Sequence, residues 1–206
     1  MTSLDSITLE VADLAAAERF YSAAFGLGDR VRLRASQEPT DGFRGFTLSL
    51  TVAQPADVHA LVDAAVDAGA TVVKAAAKSM WGYGGVVRAP DGTIWKVATA
   101  AKKDTGPATR EVSDVVLLLG VADVAASRRF YLEQGLVVGK SFARMYVEFA
   151  GGAVKLALYR RRALAKDAGV PEEGTGSHRI ALNAPTTPFT DPDGFPWEST
   201  SMATQS

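Results

Sequence analysis

Val11-Ala-Asp-Leu-Ala-Ala-Ala-Glu-Arg-Phe-Tyr21 returns, little changed, as Val121-Ala-Asp-Val-Ala-Ala-Ser-Arg-Arg-Phe-Tyr131. A repeat of this length is the sequence signature of a duplicated structural unit. In each copy an apolar, β-rich run precedes an aspartate that can cap a helix, and a glycine follows to stop it. Gly26-Leu27 and Gly135-Leu136 mark those stops. A second pair, Pro90-Asp-Gly-Thr-Ile-Trp95 and Pro192-Asp-Gly-Phe-Pro-Trp197, closes each half. The repeats are placed at 1–100 and 114–200, with a charged, turn-rich linker at 101–113 and a polar tail at 201–206.

Alternation predicts strands at 4–11, 30–35, 46–52, 71–74, 85–88 and 93–99 in the first half. Helices are expected after Asp13 and from Pro55, where Val58, Leu61, Val62, Ala65 and Val66 form a stripe. The second half repeats the opening strand and the Asp123-capped helix, then adds a hairpin of 145–149 and 154–159 across Gly151-Gly152. It carries no counterpart of the Pro55 helix. The first half has no hairpin of this kind.

Of 206 residues, 47% are apolar and 22% charged, with 22 basic residues, 23 acidic and no cysteine. Disulfide scaffolds, zinc ribbons and thiol nucleophiles are excluded. The near-balanced charge gives no field for nucleic acid, and no apolar run approaches the roughly 20 residues of a membrane span. No secretory signal is read at the N-terminus, and a cytoplasmic protein is expected. Arg160-Arg-Arg162 reads as a solvated basic face, and residues 161–166 as one or two helical turns that could lid a cavity. His59 falls between apolar helix positions and faces solvent. No Gly-x-Ser-x-Gly elbow accompanies the serines and histidines, so no triad is assigned.

The ordered, twice-repeated motifs resemble the vicinal oxygen chelate superfamily, which includes glyoxalase I, bleomycin-resistance proteins and extradiol dioxygenases. The resemblance implies an α+β fold of tandem βαβββ modules, with curved mixed sheets enclosing a cavity and helices on their outer faces. Set against the paired-module domain of that family, the two halves imply two incomplete domains packed as one body. Family enzymes hold one divalent metal with His, Gln or Glu at fixed strand positions. The first repeat offers Ser6, Thr47 and Lys96 there, and the second Val116, His178 or Arg179, and Glu198. A charged lysine has no lone pair for a metal. His178 with Glu198 is a weaker alternative metal pair, and a histidine bonded to backbone is its plainer reading.

The expected ligand-binding residues are Ser6, Thr47, Trp81, Tyr83, Lys96 and Glu198. Trp81 and Tyr83, among glycines, form a stacking wall at a cavity mouth or else anchor a turn. Lys96 takes over part of the absent metal's electrostatic task, pairs with a carboxylate such as Glu198, or reaches water. The resemblance then implies a metal-free protein, with no cofactor, binding a small, partly apolar molecule between the sheets. A lyase- or dioxygenase-type enzyme with one divalent metal is the alternative, and a structural dimerisation module a third reading. The expected partner is a small-molecule ligand, with neither nucleic acid nor membrane, and a homodimer stays open.

Overall fold

The computed structural model describes residues 2–143 and 145–200. The polar tail expected at 201–206 lies outside them. The first half runs β1 (Ser6–Val11), α1 (Leu14–Ala24), β2 (Val31–Ala35), β3 (Thr40–Gly42), β4 (Phe46–Thr51) and α2 (Pro55–Asp67). It ends with β5 (Thr71–Ser79), β6 (Gly82–Arg88) and β7 (Ile94–Thr99). The second half runs β8 (Asp114–Val121), α3 (Val124–Glu133), β9 (Val137–Phe142), β10 (Tyr146–Ala150), β11 (Lys155–Arg160) and α4 (Arg161–Ala168). It closes with β12 (Gly174–Gly176), β13 (Ile180–Ala184), β14 (Phe189–Thr190) and β15 (Pro196–Ser199).

The repeated segment behaves as its chemistry dictates. Asp13 accepts the Ala16 N–H, and Asp123 accepts those of Ala125 and Ala126, so each aspartate satisfies free donors at a helix start. Pro55 opens α2, where its missing N–H costs nothing. β10 and β11 pair antiparallel as the hairpin expected across Gly151-Gly152.

Strands of both halves share each sheet. One large sheet has the order β14-β15-β13-β1-β2 and the other β5-β6-β7-β4-β8-β11-β10-β9, while β12 and β3 pair in a two-stranded ribbon. The seams are antiparallel: Ile7 opposite Leu182 and Leu9 opposite Ile180 in the first, Phe46 opposite Leu119 and Leu48 opposite Leu117 in the second. Alternate residues of the seam strands enter one continuous core that draws on both sheets. Tyr21 and Phe25 of the α1 region pack on Trp95 of β7, while Tyr131 of α3 packs on Trp197 of β15. Because α1 also contacts β2 and α3 contacts β10 and β11, both helices touch both sheets.

The opposite face of the eight-stranded sheet carries Ile94, Lys96, Thr47, Ser49, Val116 and Leu118. α4 lies on it, centred on β8. Gly120 permits this approach, since a Cβ there would stand 3.0 Å from the Arg161 Cα and 2.9 Å from the Gly45 carbonyl oxygen. Beneath α4, Leu164, Ala165 and Ala168 join Phe43, Val86 and Ile94 in a second, smaller apolar cluster. Facing residues of the two sheets form the main core, and a groove lies on the opposite face of the eight-stranded sheet, beside α4.

Candidate functional site

α4 sets the geometry. At its start the Arg161 guanidinium donates to the carbonyls of Phe43 and Glu172 and lies over the Phe43 ring. At its end Lys74 Nζ, from β5, donates to the carbonyls of Lys166 and Asp167, satisfying acceptors that the helix leaves free. Asp167 itself accepts from Lys96 Nζ at 2.7 Å. Lys96 alternates with the fully buried Trp95 and so faces α4, as the strand period requires. Its partner is Asp167, which corrects the expectation of Glu198.

Between the end of α4 and the β5–β6 tip lies a groove of about 290 Å³, lined by Lys74, Lys78, Trp81, Tyr83, Lys96 and Asp167 among others. Three of the residues expected at a binding site therefore converge. Trp81 leaves its ring 79% exposed. Tyr83 is more committed: its hydroxyl donates to the Ala76 carbonyl, which leaves its oxygen to accept from His59 Nε2–H at 2.8 Å. His59 is exposed on α2 as expected.

The other expected residues lie elsewhere. Ser6, Asn183 and Glu198 form one cross-strand row on the five-stranded sheet. Both Glu198 oxygens accept from Arg34, which also binds Glu10 at 2.7 Å. The Glu198 hydrogen bonds raise the Arg34 pKa, so this guanidinium is charged throughout the accessible range. Ser6 Oγ and Asn183 Oδ1 are buried without a partner among the described residues.

Grouping Ser6 with Thr47 and Lys96 followed the sequence repeat, and the sheets regroup them. Thr47 and Lys96 belong with Val116 on the eight-stranded sheet, where Lys96, Ser49, Val116 and Lys155 form one row. Hydroxyls, ammonium groups and an alkyl chain there do not fit a divalent metal. On the other sheet a cation at Glu198 would have to displace Arg34. His178 brings no remedy, because both ring nitrogens face backbone carbonyls, of Arg44 at 2.6 Å and Asp193 at 3.1 Å. Its ring stacks on Phe195. Among the described residues no group of three or more His, Asp or Glu side chains could hold a metal.

Asp167 is the site residue that sequence reasoning missed. A single aspartate in a polar stretch carries no periodic or motif signal, and its role appears only once α4 is docked.

No protein family and no curated protein matches the chain by sequence. Solved structures do match. Glyoxalase I from Zea mays superposes with a TM-score of 0.62 at 14% identity, over 96% of this chain and 91% of that one. A point variant of glyoxalase I from Zea mays gives 0.63 at 13%, over 99% and 96%. Among the described residues no helix is long and apolar enough to cross a membrane. At such low identity the likeness is one of fold, and the fold of this chain is that of glyoxalase I.

Proposed function

We propose that this chain is a small-molecule-binding protein that holds a flat, partly apolar, anionic ligand in the groove between α4 and the β5–β6 tip, without a metal. The observation that carries the reading is Trp81, an exposed aromatic ring on a concave surface that also presents Lys78 and Lys96. An aromatic face offers apolar contact at low entropic cost, and the lysines complement an anionic substituent. About 290 Å³ stands at the bottom of the usual range for ligand cavities, which sets the ligand at one or two rings. Asp167 holds Lys96 in place and limits how far its charge serves the ligand. The metal positions support binding over lyase- or dioxygenase-type chemistry, since their donors suit no divalent cation.

The test uses 1-naphthalenesulfonate as probe, followed by its fluorescence with the full chain. Saturable binding is expected, weakened about tenfold by Trp81→Ala, with no change on adding a chelator. Equal affinity in the variant, or dependence on a metal, refutes the proposal.

A further inference from the structure

The duplicated halves also place equivalent backbone atoms in equivalent bonds, which allows a residue-by-residue comparison of two sites. The Glu10 N–H donates to the Arg179 carbonyl at 2.9 Å, and the Gly120 N–H to the Gly45 carbonyl at 2.7 Å. Arg179 therefore stands where the other site has Gly45, and Arg44 where it has His178. The second pair is independently supported: Arg44 Nη2 donates to the Asp91 carbonyl and His178 Nε2 faces the Asp193 carbonyl, each in its own Pro-Asp-Gly turn.

The two sites differ in what fills them. In the second, Ser127 donates to Asp193 at 2.9 Å, and the same carboxylate accepts the Ala122 N–H. In the first, Ala17 replaces Ser127, and Asp91 turns to Tyr21 and Thr93 instead. A cavity of about 230 Å³ remains, walled by Ala12, Ala16, Ala17, Phe20 and Pro90, with Arg44 and Arg179 entering it.

These arginines are not placed as structure alone would place them. Arg179 has φ +56°, in the left-handed region where its counterpart is glycine at +84°. It is only 8% exposed. One guanidinium arm donates to the Ser36 carbonyl, yet its Nε is buried without a partner among the described residues, and so is Arg44 Nη1. A left-handed arginine costs stability, and an orphaned buried donor calls for an explanation. Burial, and then the neighbouring charge of Arg179 against the opposing pull of Asp91, lower the Arg44 pKa. Among the described residues the acceptors that Arg44 and Arg179 reach are backbone carbonyls, and no carboxylate forms an ion pair with either.

We propose that this cavity is a second binding site, for a small monocarboxylate whose carboxylate accepts from Arg44 and Arg179 and whose short apolar body lies against Ala16, Ala17 and Phe20. Two guanidiniums match a carboxylate in geometry and charge. Glu10, Asp13 and Asp91 also line the cavity, and each is already engaged, with Arg34, the Ala16 N–H and Tyr21 respectively. Their charges disfavour a dianion such as phosphate. The site is separate from the Trp81 groove and does not depend on it.

Calorimetric titration of the full chain with benzoate and with isobutyrate tests the assignment. Saturable binding of at least one is expected, weakened about tenfold or more by Arg44→Gln and by Arg179→Gln, as loss of a charge-assisted pair requires. Should those variants unfold, Ala17→Ser keeps the test open. It installs the residue that the second half tolerates at the equivalent place, and it should abolish binding while the melting temperature holds. Trp81→Ala should leave the isobutyrate affinity unchanged, which separates this site from the groove, whose ligand is a flat ring. No saturable binding of either carboxylate, affinity unaltered by Ala17→Ser, or tighter binding of inorganic phosphate overturns the proposal.

Discussion

Replacing Leu164 by alanine should release α4, whereas replacing Lys96 by methionine should barely loosen it. Leu164 is 1% exposed and sits at the centre of the small cluster under the helix. Truncating a buried leucine costs about 2–5 kcal/mol, which corresponds to a roughly 30- to 5,000-fold increase in the opening of whatever that residue holds down. The Lys96–Asp167 pair is short, at 2.7 Å, but its side chains are 36% and 47% exposed. Water screens a pair that open, so its contribution is about 1 kcal/mol or less, and opening should rise no more than about fivefold. Native-state hydrogen exchange resolves the two directly, because the α4 amides report local opening while those of β4 and β8 report the sheet beneath. Leu164→Ala should accelerate exchange in α4 and leave β8 protected. Should Lys96→Met open α4 as far as Leu164→Ala does, the ion pair rather than the apolar cluster is the latch, and ranking the two by burial is wrong.

The repeated Phe-Tyr pair predicts an asymmetry. Phe20 is 4% exposed and Phe130 only half-buried, so Phe20→Ala should cost about 3–4 kcal/mol and Phe130→Ala clearly less, read from urea midpoints; equal losses would contradict the packing. Burial, and then the Asp91 and Asp191 charges, push the Tyr21 and Tyr131 phenols well above their ordinary pKa. A raised folded-state value means the native state holds the proton more tightly, so this contribution is full below about pH 10 and is lost as the pH climbs beyond it. Absorbance at alkaline pH should show Tyr21 and Tyr131 ionising only as the chain unfolds, and their early titration in the native protein would count against the buried network.

The elements were legible because their causes are local. Asp13 and Asp123, Pro55, and the alternation through Leu48 and Leu50 each act within a few residues, and the strands and helices stand close to where those signals put them. Partner choice is not local. Alternation says that Leu117 and Leu48 each have a buried face, but not that they lie opposite one another. Assigning Ser6, Thr47 and Lys96 to one site was for this reason an error of partner, and each half in fact lends strands to both sheets. The candidate groove was partly legible: Trp81, Tyr83 and Lys96 converge, while Asp167 and the docking of α4 left no trace that a pattern could detect. Arg179 was read only as a possible occupant of a metal-ligand position, and Arg44 was less visible still, because it is a single basic residue beside a strand.

The two halves share a problem and solve it with different residues. Each buries a tyrosine under a tryptophan whose indole N–H points to the phenol oxygen, at 3.3 Å in the first half and 3.4 Å in the second. A buried phenol needs an acceptor for its own proton. In the first half Asp91 of Pro-Asp-Gly supplies it. The equivalent Asp193 does not serve Tyr131; the acceptor is Asp191, two residues earlier, where the first half has Ala89. Asp191 also accepts the N–H groups of Asp193 and Phe195, and its burial raises its pKa despite those bonds. With Asp191 in that role, Asp193 is free to turn to Ser127 and close the space beside α3. The first half has one aspartate for the phenol, the Thr93 N–H and the Thr93 hydroxyl, and none left over for α1. Ala17 and Ala89 against Ser127 and Asp191 thus form one coupled difference, and the open, arginine-lined cavity beside α1 is its structural consequence.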